Sequence, residues 1–72
     1  MTVLQKAARQ KFGSLRNLAR TLGVAPACIL QLNAGYRRAW PRLRQKVAAA
    51  LEMREEELFD EKGWPREAEN DA

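Results

Sequence analysis

In the first 51 residues of this chain nearly all the groups that can do chemistry are cations. Between Met1 and Leu51 stand Lys6, Arg9, Lys11, Arg16, Arg20, Arg37, Arg38, Arg42, Arg44 and Lys46, with no carboxylate among them. From Glu52 onward nine acids face only Arg54, Lys62 and Arg66. A half carrying +10 is thus joined to one carrying −6, which gives the formal +4 of the whole chain. Such asymmetry points to a polyanionic partner for the first half. Other kinds of chemistry lack their groups. The absence of histidine removes imidazole acid–base work, Cys–His dyads and the commonest metal ligand. Cys28 is the single cysteine. It reads as a small hydrophobe on a helix, and without a neighbouring base it offers catalysis little. No enzyme activity, metal or cofactor is expected.

These cations must be carried by a small scaffold. A 72-residue chain makes one domain, burying only about 60% of its unfolded surface. Its apolar residues are mostly Ala and Leu, which favours helix over sheet. No apolar run approaches the roughly 18 residues of a membrane span, and no basic-then-apolar leader opens the chain. A lone cysteine is most at home in a reducing cytoplasm.

The helices can be placed from their stops and stripes. Thr2 and Gln5 fit a capping box, starting the first helix near Val3, with Leu4, Ala7, Ala8 and Phe12 inward and Gly13 at its end. Ser14 caps a second helix whose apolar face is Leu15, Leu18, Ala19 and Leu22. Gly23 ends it, Val24 turns inward, and Pro26 opens a third helix with Ile29 and Leu32 inside and Gly35 at its end. Helix, three-residue turn and helix is the helix-turn-helix layout. Pro41 opens a fourth helix with Leu43, Val47, Ala50 and Leu51 buried. A short fifth covers about Glu55 to Phe59, its glutamates near the positive end of the helix dipole. From Asp60 to Ala72 periodicity vanishes, and the sequence reads as an acidic, mobile tail outside a domain of residues 1–59. Three placements are open to Trp64 in that tail: docked on the domain, packed on a second subunit, or hanging free.

The stretch from Ser14 to Gly35, SLRNLARTLGVAPACILQLNAG, resembles the lambda-repressor-like helix-turn-helix family, the phage and bacterial repressors related to lambda repressor and Cro. The likeness lies in small Ala19 where two helices cross, Gly23 in the turn, and Leu18, Leu22, Val24, Ile29 and Leu32 at the expected offsets. It continues through WPRLRQKVAAALEMREEELF and covers roughly residues 3 to 59. It implies an all-α, compact five-helix domain with a central helix-turn-helix. The function implied is that of a cytoplasmic, Cro-like transcriptional regulator that binds double-stranded DNA as a homodimer, with helix 3 in the major groove. The bases would be read by Ala27, Leu30 and Gln31, with Pro26 beside them. Phosphates would be held by Arg16, Tyr36, Arg37, Arg38 and Arg42, with Arg20 a weaker contact.

The chain departs from the family's pattern in several places. Leu15 stands where the family often has Gln, and Gln31 alone on the reading face can make directed bonds to a base edge. Ala27 and Leu30 are suited to thymine methyls. Ala25 replaces the usual polar cap before helix 3, and Glu52 replaces the glycine that ends helix 4, so that turn is either strained or differently built. Trp40 reads as an interfacial anchor or as a lid on the core. The alternative function is a protein-interaction module or antitoxin, binding another regulator or a toxin through Leu15, Ala27 and Leu30. The acidic C-terminal part is a further surface for a protein partner.

Overall fold

Helix boundaries in this chain follow from devices at each end. The computed structural model describes residues 1–68, and its elements are α1 (Val3–Phe12), α2 (Leu15–Leu22), α3 (Pro26–Ala34), α4 (Pro41–Leu51) and α5 (Glu55–Leu58). The Thr2 hydroxyl oxygen accepts the Gln5 N–H at 2.9 Å and starts α1. The same hydroxyl donates to the side-chain oxygen of Asn33, so the cap also clips α1 to α3. Ser14 accepts the Asn17 N–H at 3.1 Å to start α2. The Asn17 amide reaches back to the Phe12 carbonyl at 2.8 Å and ties the two helix ends together. Prolines open α3 and α4 without a side-chain cap bond, since their missing N–H is one that a first turn leaves unpaired anyway.

Three helices stop in the same way. Gly23, Gly35 and Glu52 all take the left-handed conformation, at φ 74°, 86° and 56°. In each case the next N–H returns to a carbonyl five residues back: Val24 to Ala19, Tyr36 to Gln31, and Met53 to Ala48. This bond satisfies carbonyls the helix end would otherwise leave open. A residue with a Cβ costs roughly 1–2 kcal/mol in this conformation, so the turn at Glu52 is of the ordinary build but strained. The Glu52 carboxylate meets Lys11 Nζ at 2.9 Å. That hydrogen bond, aided by the ammonium charge, holds its pKa below the usual carboxylate range.

The core is one cluster fed by all five helices, with Leu4, Leu18, Ile29, Leu32, Leu43, Val47, Leu58 and Phe59 fully enclosed. Burying each of the larger aliphatic side chains contributes about 1.5–3 kcal/mol. Ala19, with no exposed surface, lies on α2, which packs chiefly against α3. On α4 the buried alanine is Ala48, whereas Ala50 is half-buried. No strand occurs among the described residues, whose only extended pairings are the isolated bridges Thr2–Glu67 and Phe59–Pro65. The fold is therefore all-α.

The segment after Phe59 differs from the sequence expectation. Residues 60–68, read as a tail outside the domain, lie along it in hydrogen-bonded contact. Arg66 N–H donates to the Leu58 carbonyl at 2.9 Å, and Arg66 C=O accepts the Val3 N–H at 2.9 Å. Arg66 Nε donates to the carbonyls of Glu56 and Phe59 at 2.8 and 3.1 Å. The Ala68 N–H donates to the Met1 carbonyl at 2.9 Å. This polar sequence is held by backbone pairing, which needs no apolar periodicity. Residues 69–72 of the expected tail lie outside the described residues.

Candidate nucleic-acid interface

Geometry on α3 divides its residues into three sectors. Successive side chains turn by about 100° around a helix axis, so Ala27 and Gln31 fall on one strip, with Ile29 and Leu32 opposite. The burial agrees: Ile29 and Leu32 are fully enclosed, while Ala27 and Gln31 are exposed. Leu30 and Cys28 flank the strip on either side, and both are half-buried. Leu30 is therefore a wall of the strip, packed against the core cluster, and offers only part of its side chain to a ligand.

Each flank carries an arginine from another element. On the Leu30 side, Arg16 at the start of α2 lines the same shallow cleft as Leu30, together with Arg9 and Ser14; the cleft volume is about 300 Å³. On the Cys28 side, Arg37 Nη1 lies 3.5 Å from the Cys28 sulfur. The exposed strip Ala27–Gln31 thus runs between two guanidinium groups. A planar guanidinium presents several N–H donors in a fork that fits phosphate.

The loop between α3 and α4 holds the remaining candidates. Tyr36 is 83% exposed, and its phenol makes no hydrogen bond among the described residues. Arg38 is exposed and lies over the Trp64 ring, its guanidinium carbon 6.0 Å from the ring centre, at the reach of a cation–π contact. Ala39 is buried at 3% and its N–H donates to the Gly63 carbonyl at 2.9 Å. Trp40 is 46% exposed, so it does not close over the core as a lid. Arg42 is exposed on the first turn of α4. Among the described residues, none of Arg16, Arg37, Arg38 and Arg42 pairs with a carboxylate; the ion pairs are Met1–Glu67, Lys11–Glu52 and Arg54–Glu57. Arg20 is exposed on α2.

One sequence expectation changes at this site and one open reading is resolved. The apolar face of Leu15, Ala27 and Leu30 is not an open surface, since Leu15 is 7% exposed and Leu30 half-buried. Trp64, left with three placements by the sequence, docks beneath Arg38. Gly63 and Asp60, which hold that tryptophan, were not legible as site residues. An aspartate followed three residues later by glycine is nonetheless a turn signal, and it is the one local cue this segment carries.

Such a surface can bind an extended anion and offer a single amide to a hydrogen-bonding edge. Among the described residues no three of His, Cys, Asp and Glu gather as metal ligands. None of the described helices is long and apolar enough to cross a membrane. Comparison with known proteins gives no matching family model, no matching curated protein and no matching solved structure.

Proposed function

We propose that this chain is a double-stranded-DNA-binding transcriptional regulator of the lambda-repressor-like kind, a Cro-like repressor of phage or bacterial origin working in the cytoplasm. α3 enters the major groove, Gln31 reads a base edge, and Ala27 with the outer part of Leu30 meets thymine methyls. Arg16, Tyr36, Arg37, Arg38 and Arg42 hold phosphates on either side. Pairing as a homodimer sets two such helices one DNA turn apart and multiplies a weak half-site. The observation that carries this reading is the exposed strip Ala27–Gln31 between Arg16 and Arg37. It lies in a half of the chain without a single carboxylate. The burial of Leu15 and Leu30 weighs against a protein-interaction module using that face.

Selection from a random duplex library at a fixed salt concentration tests the reading, with enrichment of a two-fold-related pair of half-sites as the expected result. The absence of any duplex preference over heparin or single strands would sink it. In a salt series, log affinity falls linearly with log salt, with a slope of about −0.9 per neutralised phosphate. Replacing Arg37 and Arg38 by Ala flattens that slope by roughly one to two units per subunit and weakens all duplexes alike. Gln31→Ala removes about 1–3 kcal/mol of discrimination at one base pair per half-site and leaves the slope nearly intact.

A further inference from the structure

We propose that Trp64 is a positioning residue for Arg38, and that residues 60–64 form a brace holding the loop at 36–39 in its phosphate-binding shape. The proposal rests on the DNA-binding reading above and adds to it a part of the chain outside the helix-turn-helix.

The brace is built around one carboxylate. Asp60 Oδ1 accepts the N–H groups of Lys62 and Trp64, both at 2.9 Å, and the Asp60 N–H donates to the Trp64 carbonyl at 2.8 Å. The Gly63 N–H donates back to the Asp60 carbonyl at 3.0 Å. Trp64 is thereby fixed at both its N–H and its C=O. From this closed turn two contacts reach the loop side by side. Gly63 C=O takes the N–H of Ala39, and the Trp64 ring lies under the guanidinium of the preceding residue, Arg38. Gly63 sits so close that a Cβ there would come within 2.5 Å of the Ala39 carbonyl oxygen.

A ring suits the role because its attraction for the cation comes from the π face and takes up no N–H donor. The guanidinium N–H groups stay available for phosphate oxygens. An arginine already held in one orientation loses less side-chain freedom on binding, which strengthens association without a new contact to the ligand. No carboxylate among the described residues neutralises Arg38, so the ring orients the charge and leaves it whole.

The test compares Trp64→Phe with Trp64→Leu, since both are smaller apolar side chains but only Phe keeps an aromatic face. Each is measured for duplex binding over a salt series, alone and combined with Arg38→Ala, with thermal melting confirming the fold. Trp64→Leu is expected to bind about 2- to 5-fold more weakly than wild type, the size of an exposed cation–π contact. Trp64→Phe should keep most of the affinity, and Arg38→Ala/Trp64→Leu should bind no more weakly than Arg38→Ala alone. Equal affinities for the Phe and Leu variants would overturn the proposal. So would a Trp64→Leu loss that persists in full when Arg38 is already Ala. A wild-type protein that binds no duplex overturns the DNA-binding reading itself, and the role of Trp64 falls with it.

Discussion

The turn from α2 to α3 and the loop from α3 to α4 begin alike and are then secured in opposite ways. Each opens on a left-handed glycine, Gly23 or Gly35, whose successor bonds five residues back. In the first, Val24 packs on the core and Pro26 restarts a helix within three residues, and the backbone hydrogen bonds of the turn all go to neighbours in sequence. In the second, Tyr36, Arg37 and Arg38 stay exposed, and the chain is tied down at Ala39 by Gly63, twenty-four positions away. A turn needing to place apolar plugs can be self-sufficient. A loop that keeps its guanidiniums outward has only Ala39 to pack on the core, and further support comes from Gly63 elsewhere in the chain.

That contrast can be broken at the distant support first. Gly63→Ala adds a Cβ against the Ala39 carbonyl and also strains a residue at φ 91°. It is expected to lower stability by about 2–3 kcal/mol in a denaturant titration and to speed exchange of the Ala39 amide more than that of Val47. Gly23→Ala is the matched control for the local turn. Nothing lies within 4 Å of the added Cβ, so only the left-handed backbone is penalised, by roughly 1–2 kcal/mol, with no selective effect on Ala39 exchange.

The strained helix end at Glu52 offers the reverse experiment. Glu52→Gly relieves the backbone at φ 56° but gives up an exposed ion pair with Lys11. Surface pairs of that type contribute little, so the melting temperature should rise by a few degrees, and a fall would mean the pair outweighs the backbone. The smallest effect expected is on acidification. The bond from the Trp64 N–H, seconded by that from Lys62, holds the Asp60 pKa below the usual carboxylate range. A depressed native value gives stability that is complete above the unfolded pKa of about 3.9 and is lost as pH falls through the lower native one. Ala39 amide protection should therefore decline at acid pH before α2–α3 amides respond, and Asp60→Ala should show the decline already at neutral pH.

The sequence made the helix-turn-helix legible because its signals are local. Ser14 and Asn17, Gly23 and Val24, Pro26, and the stripe Leu18–Leu22–Ile29–Leu32 each act within a turn or two of their own position. The left-handed end of α4 was foreseen as an anomaly at Glu52, and its build became visible only with the Met53–Ala48 bond. Residues 60–68 were misread for a physical reason. They are held by backbone pairing to Met1, Val3, Leu58 and Ala39, and pairing of that kind leaves no hydropathy period. Leu30 was assigned to the reading face by the family resemblance, whereas it is half-buried against the core cluster and shares a cleft with the start of α2. Helical spacing gives a direction, and only the neighbouring elements decide how far that direction is open.

The bond from the Val3 N–H to the Arg66 carbonyl has a consequence for how the protein is made. Val3 is synthesised before its partner, which follows sixty-three positions later. Ala39 likewise waits for Gly63, an interval of about 1–5 s at ordinary translation rates. During that interval a growing chain carries its cationic helices before the acidic segment that fastens the loop at 36–39. Refolding from denaturant has no such delay, since every residue is present from the start.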